Sequence, residues 1–251
     1  MLATVGALDV SSVAALLADR SRAAILEALM GGEERAARDL ALAARVRPQT
    51  ASSHLQKLLD AGLIIVNPNG RERRFQLAGS EVAEAIEALG LLAVPAQVRG
   101  LRDANRRDAL RRARTCYDHL AGRLGVNLTE GLVRDGCLAG SELRLTRRGE
   151  QRMRELGIDA GDLRRLRRPL TRSCLDGTER RPHVAGALGR AIADRLLEKG
   201  WIVRMPETRA VRLTERGDTE LIERGWLQSH HALTNGPAGL LRTGEVARTR
   251  A

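Results

Sequence analysis

The spacing of apolar residues divides the chain. Val13, Leu16 and Leu17, then Ile25, Leu26 and Leu29, recur every three to four positions and predict two helices. They are separated at Ala18-Asp19-Arg20-Ser21, where Ser21 can cap the second helix, and Gly31-Gly32 ends it. A third helix is expected over residues 38–44, with Leu40 and Ala43 towards a core. A fourth begins after Val46, with Pro48 in its first turn and Leu55, Leu58 and Leu59 inward; Asp60-Ala61-Gly62 stops it. Residues 63–66 and 74–77 read as strands around the turn Asn67-Pro68-Asn69-Gly70. Ser80 then opens a helix with Val82, Ile86 and Leu89 on one side.

Helix, helix, turn, helix and hairpin is the order of a winged helix-turn-helix. LADRSRAAILEAL, then DLALAARVRPQTASSHLQKLLDAGLI, then a Gly-Arg wing strand follow one another at the right spacing, and over roughly residues 10–94 the chain resembles the ArsR family of bacterial transcriptional regulators. The resemblance implies double-stranded DNA as partner, with a palindromic operator, and a homodimer joined by the first and last helices of this domain. It places the DNA reader at residues 48–58. The family's thiolate metal motif, Glu-Leu-Cys-x-Cys-Asp-Leu on the third helix, is replaced here by Glu34-Arg35-Ala36-Ala37-Arg38-Asp39-Leu40, and residues 81–92 lack the His of its other metal site. Neither family site can bind its metal in this chain.

Charge bears on the same region. The net charge is +11 and arises almost wholly from Arg, Lys57 and Lys199 being the only lysines. An Arg surplus suits phosphate and guanine edges, although GC-rich coding produces the same bias. Residues 45–59 are more specific, holding Arg45, Arg47, His54 and Lys57 without an acid, so a helix there meets phosphate without repulsion. Gln49, Thr50, Ser52 and Ser53 can bond base edges or phosphate, and Arg71, Arg73 and Arg74 belong to the wing. The plain alternative is a solvated polar face.

Past Pro95, Arg99, Arg102 and Arg106 share one face of a basic linker helix within residues 95–114, either a second phosphate stripe or a solvated connection. Beyond it the chain repeats itself. HLAGRLG at 119–125 returns as HVAGALG at 183–189, and an offset of 64 keeps seven identities over the twenty positions from His119/His183 to Leu138/Ile202. Arg-Leu-Thr-x-Arg-Gly also occurs twice, at 144–149 and 212–217. Residues 115–229 are therefore expected to be two helix-turn-helix-wing modules. Their would-be reading helices carry Glu130, Asp135, Asp194 and Glu198, which argues for packing or ligand binding rather than DNA. This half resembles the carboxy-terminal region of a longer subset of ArsR-like regulators, on phrases such as CYDHLAG and the Cys-Leu-Asp before ERRPH.

The repeats carry one candidate chemistry. With residues 115–124 helical, Cys116 and His119 stand at i and i+3; Cys174 and His183 lie in and beside the second copy. Two thiols and two imidazoles make a tetrahedral set for zinc or another soft metal if a pseudo-twofold brings the copies together. Alternatively, each His caps its helix or bonds Asp118 or Asp176 and the cysteines pack as small apolar residues, or the thiols sense oxidation. Cys137 aligns with Trp201 and reads as core.

The remaining composition narrows the class. Phe75, Tyr117, Trp201 and Trp226 are the only aromatics besides His, so an aliphatic core favours a mainly α fold with small β-hairpin wings. Three scattered cysteines read as reduced thiols, and no apolar run approaches the ~20 residues of a membrane span, so a soluble cytoplasmic protein is expected. No phosphate loop or nucleophile elbow points to an enzyme. Residues 230–251 are Gly-rich and read as a mobile tail. The expected function is a sequence-specific dimeric repressor with a small-molecule, metal or redox effector. A constitutive architectural DNA-binding protein, its second half only a dimerisation scaffold, is the alternative.

Overall fold

The computed structural model describes residues 9–70, 72–94, 97, 100–206 and 208–228. Arg71, Pro95, Arg99 and the expected tail over 230–251 lie outside the described residues.

The first helices are α1 (Val10–Leu17) and α2 (Arg20–Leu29). The cap of α2 is Asp19 rather than Ser21, because the helix starts at Arg20: Asp19 Oδ1 accepts from the backbone N–H of Ser21 and of Arg22, at 2.9 and 3.0 Å. Strand β1 (Arg35–Ala36) leads into α3 (Ala37–Ala44), which buries Leu40 and Ala41 and leaves Ala43 exposed, opposite to expectation. Arg45 closes α3 in the left-handed region, φ 55°, and the chain re-enters helix at Pro48 as α4 (Pro48–Asp60), burying Ala51, Leu55 and Leu58 while Leu59 is half-buried.

The wing is longer than the sequence predicts. Strands β2 (Ile64–Asn69) and β3 (Glu72–Leu77) pair from Ile64↔Leu77 to Asn69↔Glu72, so residues 67–69 are strand and Gly70, φ +61°, begins the bend. Pro68 is tolerated because the order is β1-β3-β2, with β2 at an edge. Helix α5 (Ser80–Leu92) follows. It buries Ala83 and Glu87 and half-buries Val82 and Ile86, whereas Leu89, expected inside, is exposed. Ile25, Leu29, Met30, Leu40, Leu55, Leu58, Ile64, Phe75 and Leu77 join these elements in one apolar cluster.

The basic helix α6 (Leu101–Arg112) buries none of its residues. The rest runs β4 (Arg114–Cys116), β5 (His119–Ala121), α7 (Gly122–Arg134), β6 (Leu138–Ala139), β7 (Arg144–Leu145) and α8 (Arg147–Leu156). After the short α9 (Ala160–Arg164) the same order returns as β8 (Arg172–Leu175), β9 (Pro182–Ala185), α10 (Gly186–Glu198), β10 (Ile202–Arg204), β11 (Val211–Leu213) and α11 (Glu215–Glu223). Residues 115–121 are thus a hairpin and not the start of a helix, and a single helix stands between each pair of hairpins. Tyr117 takes φ 60°, the left-handed geometry that a two-residue hairpin turn needs.

Both segments share a second core, with Leu124, Leu128 and Leu132 of α7 and Leu188, Ile192 and Leu196 of α10 around Met153, Trp201 and Trp226. Their packing is reciprocal, α7 lying on β9 and α10 on β5. The repeated phrase supplies the geometry. Ala121 and Ala185 are fully buried, and Gly122 and Gly186 turn each chain into its helix at φ +72° and +82°. A Cβ on Gly125 would lie 2.5 Å from Leu120 O, and one on Gly189 the same distance from Val184 O, so helix and hairpin touch only without a side chain there. Likewise Thr146 and Thr214 cap α8 and α11, each accepting from a glycine N–H (Gly149, Gly217) at 3.0 Å.

At the end of α7, Asp135 accepts from Arg148, from Arg152 Nε at 3.0 Å and from Trp226 Nε1 at 3.1 Å. Burial would raise its pKa, but these donors outweigh burial and hold the carboxyl far below the usual range. Its stabilisation is present above the ordinary value of about 3.9 and lost as pH falls. Asp135→Asn is therefore expected to cost about 2 kcal/mol at neutral pH, the scale of charged hydrogen bonds, and the difference in urea unfolding should narrow steadily as pH falls below about 4. Gly125→Ala and Gly189→Ala should each lower stability by about 1–3 kcal/mol through overpacking, read as a lower urea midpoint.

Candidate nucleic-acid interface and cysteine-histidine cluster

Burying Ala51, Leu55 and Leu58 turns the opposite face of α4 outward. Arg47, Gln49, Thr50, Ser52, Ser53, Gln56 and Lys57 are all exposed. Ser52 Oγ donates to Pro48 O at 3.0 Å, which occupies its proton and leaves its lone pairs outward. His54, expected among the DNA contacts, is drawn back to 4.0 Å from Asp19 Oδ1 with 13% of its side chain exposed. On the wing, Arg73 is exposed above the Phe75 ring, 5.5 Å from its centroid, while Arg74 is half-buried and bonds Glu72 at 3.1 Å. Arg73 is thus better placed than Arg74 to reach phosphate.

The four sulfur and nitrogen residues come together between the hairpins β4–β5 and β8–β9. Cys116 pairs with His119 across one and Cys174 with His183 across the other, so the sequence spacings of three and nine produce the same cross-strand arrangement. One donor atom from each of the four lies within 4.8 Å of the others. The imidazoles stack at 28° with Nε2 atoms 3.1 Å apart. Each Nδ1 looks away towards a carboxylate: His119 to Asp118 Oδ1 at 3.4 Å and His183 to Asp176 Oδ2 at 4.0 Å. Cys116, His119 and His183 are at most 3% exposed and Cys174 is 9%. The thiol of Cys116 is pushed up to about 12 by the hydrogen bond it shares with Cys174 and by burial, and the same bond lowers Cys174. Burial favours neutral His119, but Asp118 and Cys116 outweigh it and raise its pKa to about 9.

Behind the cluster lies a charge network that the sequence did not single out. Arg114, 2% exposed, reaches Asp176 Oδ2 at 3.1 Å and Glu87 Oε2 at 3.5 Å. Glu87 also accepts from Arg209 Nη1 at 2.8 Å. Asp176 accepts from the N–H of Gly122 at 2.6 Å and from those of Thr178 and Glu179 at 2.8 and 2.9 Å. Burial works against all three charges and is outweighed: Arg209 and then Arg114 hold Glu87 below the carboxylate range, Arg114 with the N–H donors holds Asp176 below it, and the two acids hold Arg114 charged. The one signal in the sequence was Glu87 itself, a carboxylate four residues after Ala83 on the inward face of α5.

The acids of the repeats are also neutralised within the fold. Glu130 pairs with Arg181, Asp135 with Arg148 and Arg152, Asp194 with Arg190 and Glu198 with Arg195. Among the described residues no helix is long and apolar enough to cross a membrane.

Comparison with known proteins bears on both halves. Residues 17–67, from α2 into the wing, match the Helix-turn-helix domain family HTH_20. The uncharacterized HTH-type transcriptional regulator YdfF of Bacillus subtilis (strain 168) is 46% identical over 211 residues, covering 83% of this chain and 93% of that protein. Among solved structures, a fragment of a possible transcriptional regulatory protein from Mycobacterium bovis is 31% identical, covers 33% of this chain and 88% of its own, and has a TM-score of 0.31. The solution structure of a homodimeric winged helix-turn-helix DNA-binding domain from the same organism, described as a possible ArsR-family regulator, is 29% identical, covers 36% and 89%, and has a TM-score of 0.31.

Removing one member of a buried charge network strands the others. Arg114→Met should cost about 3–5 kcal/mol in urea unfolding, and adding Asp176→Asn and Glu87→Gln should recover a large part of that loss.

Proposed function

The chain belongs to the HTH-type transcriptional regulators, and from that premise we propose that it acts as a dimeric repressor reading a palindromic operator with α4 and the wing. The observation that carries this reading is the outward face of α4, where Gln49, Thr50, Ser52, Ser53, Gln56 and Lys57 stand exposed in a stretch with no acid from Arg45 to Leu59. Such a face enters the major groove without repelling phosphate and offers amide and hydroxyl groups to base edges. Arg73 on the wing would follow the backbone beside it.

A homodimer is supported by the apolar side chains left outside the first core. Val10 is 71% exposed, Leu89 48% and Leu92 83%, on the two helices that the ArsR resemblance assigns to dimer contact. Two copies joined there would present two reading helices related by a twofold, which is what a palindrome matches. The carboxy-terminal half, its acids already paired with arginines, is read as the sensor rather than as a second DNA reader.

Full-length protein titrated with its own upstream DNA tests this. Arg73→Ala should weaken binding to all sequences and lower the salt slope by about one. Gln49→Ala should mainly relax sequence preference, at a cost of about 1–3 kcal/mol if it reads a base. Undiminished, salt-independent binding by a Gln49→Ala, Lys57→Ala, Arg73→Ala variant would overturn the assignment of the interface.

A further inference from the structure

We infer that Cys116, His119, Cys174 and His183 are the ligands of one tetrahedral divalent cation of the zinc class, and that occupancy fixes α5 relative to α2. The donor set is two thiols and two imidazoles, the chemistry of closed zinc sites, whose four protein ligands leave no position for water or substrate. A metal–N distance of ~2.0–2.1 Å and a metal–S distance of ~2.3 Å put tetrahedral N···N at about 3.3 Å and S···S at about 3.8 Å. The Nε2 atoms are already 3.1 Å apart, and the farthest donors in the set are within 4.8 Å. A rotamer adjustment of less than about 1 Å closes the sphere.

The surroundings fit the same assignment independently. A ligating imidazole is oriented by a carboxylate on its far nitrogen; Asp118 bonds that of His119 at 3.4 Å, and Asp176 faces that of His183 from 4.0 Å, too far for a bond until the ring shifts. Asp118 is held in turn by Arg168, and Asp176 by Arg114, so neither acid is free to swing into the cluster. A cavity between α5 and β8, lined by Glu84, Glu87, Leu91, Arg172 and Cys174, reaches the fourth ligand and gives a cation a way in beside ion-paired carboxylates.

Both hairpins that supply the ligands reach the amino-terminal domain, and Arg114 at the start of β4 already pairs with Glu87 on α5. At the β4–β5 turn, the N–H of Tyr117 donates to Met30 O, at 2.6 Å, just past the end of α2. From the other hairpin, Arg172 pairs with Glu84 and Arg180 Nη2 donates to Leu91 O at 3.0 Å, both on α5. A cation bonded to both hairpins therefore adds a second tie between α5 and α2, the helix on which the reading unit packs, beside the Arg114–Glu87 pair. This step rests on the proposed operator-binding role, since α5 is its dimer helix.

The experiment uses full-length protein stripped with a chelator and titrated with Co(II), then Zn(II). The expected result is one equivalent of Co(II), with the intense visible bands of tetrahedral cobalt and a thiolate-to-cobalt charge-transfer band, both abolished by Zn(II). Cys137→Ser should keep the spectrum. Cys116→Ser with Cys174→Ser should lose it, with circular dichroism confirming the fold. No uptake by the wild-type protein, weak octahedral bands without charge transfer, or an unchanged spectrum in the double serine variant would each overturn the site. Zn(II) should change operator Kd by about 5- to 150-fold. Glu84→Gln with Arg180→Ala should keep the cobalt spectrum while most of that change disappears. A change below about twofold in the wild-type protein would overturn the coupling. A protein that takes up Co(II) as described but binds no DNA would instead defeat the operator reading and leave the site standing.

Discussion

The buried guanidinium of Arg114 constrains the assembly of the whole chain. At 2% exposure it has no water to solvate it, so it requires carboxylates from elsewhere, and the two that reach it come from distant parts of the chain: Asp176 beside the second hairpin and Glu87 on α5. Besides Arg114, Asp176, fully buried, accepts from backbone N–H groups and the Thr178 hydroxyl, and Glu87, nearly as buried, accepts from Arg209. The three ionised groups satisfy one another only when the amino-terminal domain, the first hairpin and the second hairpin are all in place. Such a network stabilises little relative to an apolar replacement, but it penalises every arrangement that leaves one charge alone. Its consequence is registry between DNA-reading and repeated regions.

Small residues give the same registry within the repeated region. Ala121, Gly122 and Gly125 bring β5 against α7 at a separation that no side chain would permit, and Ala185, Gly186 and Gly189 do so for β9 and α10. With each helix lying on the other hairpin, this close approach brings His119 and His183 to 3.1 Å. The ungapped sequence repeat begins at these two histidines because the hairpin turns before them differ in length. Their cysteines precede them at different distances, since one hairpin closes with Tyr117-Asp118 and the other with residues 176–181.

What the sequence displayed and what it concealed follow from this. Helices α2 to α5 were legible because each has one buried face and one wet face, so the 3.6-residue period is written in the order of its apolar residues, whereas α1 buries none of its residues. The wing was legible in kind but not in length, as Asn67-Pro68-Asn69 carries turn residues into an edge strand. In the second half the wing hairpins, β6–β7 and β10–β11, were expected, whereas the strands that precede α7 and α10 were not legible. Arg114, Thr115 and Cys116 are all buried, as are His119, Leu120 and Ala121, so the alternation that marks a strand is absent. Cys-x-x-His then imitates a helical i, i+3 pair. The four-residue cluster was nonetheless visible as a composition, and only its backbone was misread. The Arg114 network was not visible, because its members are joined only by the tertiary fold.

The arginine surplus acquires a distribution once the acids are placed. In the second half, Arg148, Arg152, Arg181, Arg190 and Arg195 are each engaged with a carboxylate of the same half, so much of that positive charge is spent on internal ion pairs. On α4 no acid lies between Arg45 and Leu59, and Lys57 and Arg47 remain exposed beside uncharged polar groups. A polyanion approaching the molecule is therefore attracted less by net charge, which paired arginines raise without projecting a strong local field, than by a face such as that of α4, where no acid stands beside the basic residues. Neutralising acids inside the second half also removes the self-repulsion that unpaired carboxylates would exert on phosphate held by the first. Both effects make the face of α4 a more favourable approach for a polyanion than the acid-bearing helices of the second half.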